Sequence, residues 1–140
     1  MSIVEINGVI FPYSLEENVG ITGSRPISGY ISINGNKLTV SASVGSAPNI
    51  NLKSNMHFET YVKVYYDHFI IASGWLYPNR SVLIKQNYTY LGHADFELRR
   101  CYQNKELIVE LSVSYIHHSG SGLGSTISTP AKYTQKIWYR

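Results

Sequence analysis

Two segments of the chain alternate apolar and polar residues almost without interruption, and this period of two constrains the fold more than any other feature. Over residues 57–66, Phe58, Val62, Val64 and Tyr66 fall on one side and His57, Glu59, Tyr61, Lys63 and Tyr65 on the other. Over residues 107–115, Leu107, Val109, Leu111, Val113 and Tyr115 alternate mainly with Glu110, Ser112 and Ser114. Successive side chains of a strand point to opposite faces, so each segment reads as a strand with one buried and one wetted face. Nowhere do apolar residues hold the helical period of about 3.6 over several turns.

Weaker signals fill in the rest. Residues 29–33 and 37–44 flank Asn34-Gly35-Asn36, and Leu38, Val40, Ala42 and Val44 alternate with Lys37, Thr39, Ser41 and Ser43, the pattern of a hairpin. Asn7-Gly8 marks either a second hairpin turn or a bulge within one strand. Further strands are expected over residues 69–73, 82–88, 94–101 and 132–139, with a Ser/Gly-rich loop over 118–130. Ser14 followed by Glu17 has capping-box spacing and allows one helical turn, which Gly20 and Gly23 stop. The expectation is an all-β chain, an antiparallel β-sandwich or jelly roll of about 8–9 strands with at most one short helical turn. Its 140 residues fit a single domain over 1–140.

Composition narrows the function classes. Only 15% of residues are charged, against about 25% in ordinary soluble domains. Tyrosine, at 12 residues, takes up part of the difference. Tyr joins a flat apolar body to a polar tip and suits interfaces and ligand platforms. The net charge of +3 comes without any run of Lys or Arg. Arg99-Arg100, read as part of a strand, points to opposite faces, so nucleic acid is not an expected partner. Cys101 is the only cysteine. It forms no disulfide within the chain and is expected to be a small buried hydrophobe. The start, Met1-Ser2-Ile3-Val4-Glu5, lacks the pattern of a signal peptide, and no stretch approaches the roughly 18 apolar residues of a membrane helix. The surface fits an extracellular, virion or toxin-like protein better than a cytosolic enzyme. Such a chain either stays inside its producing cell or leaves it by lysis, a dedicated apparatus or inside a particle.

Several combinations resemble chemistry only superficially. His93, Asp95 and Glu97 share a strand face, as metal ligands would, but Arg99 continues that face and a solvated charged surface is expected instead. His117-His118 sits where a strand runs into a loop. Asp67-His68 lacks a nucleophile elbow to serve, and Gly120-Ser121-Gly122-Leu123-Gly124 lacks the Lys of a phosphate loop. Asn79-Arg80-Ser81 and Asn87-Tyr88-Thr89 read as glycosylation sequons arising by chance. No catalytic residue, metal ligand or cofactor motif is assigned.

Residues 74–80, Gly-Trp-Leu-Tyr-Pro-Asn-Arg, carry the most information. A segment dense in turn formers lies on the surface, yet this one holds Trp75 and Tyr77 beside Asn79 and Arg80. Rings that stack on sugar C–H faces, next to groups that bind hydroxyls, are what a glycan requires. The competing expectation is that Trp75 folds inward and plugs one end of the sandwich. Tyr88 and Tyr90 are candidates for further contacts. The expected function is therefore a non-enzymatic module that binds a cell-surface glycan or protein receptor, in the manner of lectins, toxins and phage attachment proteins, with weak sites multiplied in a homo-oligomer. The alternatives are a structural subunit of a virion, tail, fibre or inclusion, and a β-rich pore-forming toxin component.

Overall fold

The computed structural model describes residues 2–10, 25–46, 56–85, 87–118, 125–127 and 131–140. These form ten strands: β1 (Ser2–Ile10), β2 (Arg25–Asn34), β3 (Lys37–Val44), β4 (Met56–Tyr66), β5 (Phe69–Trp75), β6 (Ser81–Leu83), β7 (Thr89–Glu97), β8 (Lys105–His118), β9 (Ser125–Ile127) and β10 (Ala131–Tyr139). A 3-10 turn at Arg100–Tyr102 is the only helical element among the described residues. Ser14 to Glu17 and the glycine run at 120–124 lie outside them.

The strands make two antiparallel sheets, one ordered β1-β2-β3-β7 and the other β10-β8-β4-β5. In the second sheet β6 lies beside the first residues of β4, and β9 beside the last residues of β8. The alternation predicted from sequence decides which side chains meet between the sheets. Leu38, Val40, Ala42 and Val44 of β3 face Phe58, Val62 and Val64 of β4 and Leu107, Val109, Leu111 and Val113 of β8 in one buried apolar cluster. Each Val, Leu or Phe among them contributes about 1.5–3 kcal/mol when fully buried. The result is an all-β, sandwich-like architecture.

Turn chemistry matches the residues. Gly35-Asn36 closes β2 onto β3, with Asn34 opposite Lys37 and Gly35 at φ 64°. Asp67 and His68 both have positive φ, 47° and 74°, as a type I′ hairpin turn demands, so this pair joins β4 to β5 rather than acting as a dyad. Asn7-Gly8 makes neither a turn nor a bulge, because β1 runs straight through with Asn7 opposite Ser28 and Gly8 opposite Ile27. A Cβ on Gly8 would stand 2.5 Å from Tyr133 Cδ1, so the glycine makes room for β10.

Two expectations fail after β7. The strand does not reach residue 101; it ends at Glu97, opposite the first residue of β3, because β3 supplies no partner further on. One last backbone bond, Leu98 N–H to the Asn36 carbonyl at 2.7 Å, ties the chain down before it coils. Arg99 and Arg100 therefore lie past the strand. Cys101, expected to be buried as a small hydrophobe, is exposed on the 3-10 turn.

At its other end β7 carries a bulge. Tyr90 is opposite Ser43 and Gly92 is opposite Ala42, so Leu91 is the extra residue. The bulge resets the alternation: Leu91 and Ala94 are both buried, and Tyr90 and His93 come to the same outer face although three positions apart. Gly92 adopts φ 116°, and a Cβ there would meet the Tyr77 carbonyl oxygen at 2.6 Å. Gly92→Ala combines strain with a backbone clash and is expected to destabilise by at least the roughly 1–3 kcal/mol of a strained conformer. Gly35→Ala meets nothing within 4 Å, and its cost is expected to be the smaller of the two. Urea unfolding midpoints of both variants check this order.

Candidate functional site

One edge of β4 organises the site. Along this edge β5 pairs with Tyr61 to Tyr66 and β6 pairs with His57 to Glu59. Between them residues 76–80 leave the edge and return to it. Leu76 stays attached through its N–H to the Thr60 carbonyl, 3.2 Å, and its side chain is buried. Tyr77 crosses to the other sheet, where it donates its N–H to the His93 carbonyl at 2.6 Å and accepts the His93 N–H at 2.9 Å. The following Tyr77–Pro78 peptide is cis. The excursion thus joins the edges of the two sheets by backbone.

Trp75 does not plug the sandwich. Strand alternation sends Leu76 inward in its place, and Trp75 stands on the outer face at 37% exposure. Its ring is held on two sides. The Tyr61 ring meets it edge-on at 4.7 Å and 79°, and the Arg80 guanidinium lies over its face, Cζ 4.0 Å from the centroid. Glu59 steadies that guanidinium from the neighbouring strand, 3.4 Å from Arg80 Nε. Tyr77 is 65% exposed, its ring edge-on to His93 at 5.9 Å.

Between these elements lies an open cleft of about 450 Å³. Ser73, Gly74, Trp75 and Tyr77 form one wall, and residues 93–96 of β7 form the other. Gly74 keeps the cleft open. A Cβ there would reach ordinary contact with Phe96 Cε1 at 3.5 Å, so glycine leaves an apolar patch of Phe96 accessible. Asp95 supplies the charge. Its Oδ1 accepts from Thr39 Oγ1 at 2.7 Å, and its Oδ2 lies 3.7 Å from Lys37 Nζ. The Thr39 hydrogen bond does most to hold this carboxyl below its ordinary pKa; desolvation works against it, and the charges of Lys37 and His93 add to the lowering. The cleft therefore offers exposed ring surface, an anionic acceptor with lone pairs to spare, an imidazole and a hydroxyl.

Of the four residues picked out by sequence, Trp75 and Tyr77 line the cleft, Arg80 acts on it through Trp75, and Asn79 is exposed outside it. Sequence reading assigned His93 and Asp95 to a separate charged face; the Tyr77–His93 bridge brings them into the same site. Lys37 of β3, not Arg99, is the cation beside Asp95. Glu97 turns instead toward Asn36, whose Nδ2 donates to its Oε1 at 3.4 Å. Among the described residues no three His, Cys, Asp or Glu side chains converge as a metal site would require. No family model matches the chain, and no curated protein or solved structure is significantly similar to it.

Two outcomes follow from this geometry. In a Trp138→Phe background, which leaves Trp75 the only indole, Arg80→Ala uncovers one ring face. Acrylamide quenching of Trp75 fluorescence is expected to increase, while stability falls by no more than about 1 kcal/mol, the scale of an exposed cation–π contact. Asp95 has a folded pKa below its unfolded value, so its contribution is present at neutral pH and fades as pH falls through the folded pKa. Thr39→Val removes the main cause, and the Asp95 titration followed by NMR is expected to move up toward the ordinary carboxylate range.

Proposed function

We propose that the protein is a non-enzymatic recognition module whose cleft binds a cell-surface glycan. The observation that carries this reading is the pair of exposed rings, Trp75 and Tyr77, fixed by neighbouring strands beside Asp95, His93 and Ser73. A pyranose ring presents an apolar C–H face and a rim of hydroxyls. The first gains from stacking on an indole or phenol, and the second from acceptors and donors placed at the ring edge. Preorganisation supports the same reading. Tyr61, Arg80 and Glu59 already hold the indole in place, so binding has little side-chain entropy to lose there. The cleft volume also falls in the range of about 300–1,000 Å³ typical of small-molecule sites, which suits a sugar better than the face of a protein receptor. An open, shallow site binds weakly on its own, so useful avidity calls for several copies, in a homo-oligomer or on a particle surface. A structural subunit or a pore former needs no such cleft.

A glycan array probed with the labelled protein tests the proposal, followed by calorimetry with the best hit. Trp75→Ala is expected to lower affinity about tenfold, the loss of one stacking contact. Gly74→Leu, which fills the cleft from a position with ordinary φ, is expected to abolish binding while the fold persists. An array without hits, or a Trp75→Ala variant that binds as tightly as the parent, removes the reading.

A further inference from the structure

A second depression lies on the outer face of the β1-β2-β3-β7 sheet. It has a volume of about 160 Å³ and is rimmed by Tyr30, Tyr88 and Tyr90, which are 54%, 60% and 47% exposed. Its floor is made of small residues, including Ser28, Ser41 and Ser43, and the Ser28 and Ser43 hydroxyls face each other at 3.5 Å. Among the described residues no Asp, Glu, Lys or Arg lines it. The β7 bulge places Tyr90 on the same outer face as His93, and His93, which lines the Trp75 cleft, sits directly opposite Ser41, which lines this groove. Directly opposed residues of an antiparallel pair are about 4.5–5.5 Å apart at Cα. The cleft and the groove therefore adjoin on this face.

We infer that the glycan site proposed above extends across this face, and that its ligand is a neutral, extended oligosaccharide rather than a single sugar or a charged one. The inference rests on the glycan reading of the cleft and adds length and charge to it. From Tyr30 on β2 to Tyr90 on β7 is two strand spacings, about 10 Å, and the Trp75 cleft lies beyond. A single ring occupies the cleft and leaves the tyrosines unused. A longer chain stacks successive rings on Trp75 or Tyr77 and then on Tyr90, Tyr88 or Tyr30, with the serine floor accepting the flat face between them. Charge selects against acidic sugars at both ends. Asp95 stands in the cleft, and Glu5 of β1 is opposite Tyr30 with its Oε2 accepting from Asn7 Nδ2 at 3.5 Å. Lys37 is engaged by Asp95, and among the described residues lining the cleft and the groove there is no Lys or Arg to receive an acidic sugar.

Calorimetry with chito-, cello- and malto-oligosaccharides, from single rings to hexamers, tests the inference on the full chain, with oligogalacturonides as the acidic probe. In at least one neutral series affinity is expected to climb with length by about tenfold, the gain from one or two further stacking contacts. Tyr90→Ala is expected to erase that climb and leave short-sugar affinity unchanged. Tyr88→Ala, which sits outside the strand and whose folding is not in question, is expected to reduce the climb. Trp75→Ala lowers affinity at every length. Affinity independent of length, a climb that survives both tyrosine variants, or oligogalacturonides that bind as well as the neutral chains overturns the extended site while leaving the cleft reading intact. Absence of binding by every probe, short or long, together with an empty array overturns both.

Discussion

The Tyr77–His93 pair of backbone hydrogen bonds is the constraint on which the site depends. A segment that left β4 for solvent would place Trp75 and Tyr77 on a free loop, with ring positions set by little more than local preference. Two reciprocal bonds to the opposite sheet turn that loop into a strut. Each such bond contributes about 0.5–1.5 kcal/mol net, and the reciprocal pair acts together to hold the strut. It needs a close approach of the two backbones, and that approach exists because residue 92 has no side chain to fill it.

Legibility in the sequence divides along the same line. Inward-facing positions of β3, β4 and β8 could be read directly, since alternation over eight or more residues has one physical meaning. The aromatic segment at residues 74–80 was legible as a surface feature with an unusual composition. Its union with His93 and Asp95 was not, because pairing between elements distant in sequence leaves no local trace. Unbroken alternation along β7 would put Tyr90 and His93 on opposite faces. Gly92, a glycine inside a strand pattern, was the available signal that the alternation slips. The end of β7 was misread for a related reason: where a strand ends depends on how far its neighbour extends, and β3 begins at Lys37.

The two outer faces of the molecule have different characters. Across β8 and β10 an ion pair brings Lys136 Nζ within 3.8 Å of Glu106, and Lys63 of β4 is opposite Glu110 of β8. The Lys136–Glu106 pair is open to solvent and contributes little. The middle of the other sheet carries hydroxyls and phenols: Ser28 and Tyr30 on β2, Ser41 and Ser43 on β3, Tyr90 on β7. Charges there sit toward the margins, as with Glu5 on β1 and the Lys37–Asp95 pair. The middle of this face thus carries a neutral, hydrogen-bonding surface.

Arg25 underlies that side. Its guanidinium is buried at the start of β2, with Nε donating to the Gly45 carbonyl at 2.8 Å and a terminal nitrogen donating to the Asn87 carbonyl at 2.6 Å. It fastens the exit of β3 to the residue before Tyr88. Guanidinium keeps its proton at any pH a protein survives, and peptide carbonyls have none to lose. Ions in solution screen so enclosed a contact only weakly. The fastening of the β3 exit to the residue before Tyr88 is therefore itself little affected by acid or salt.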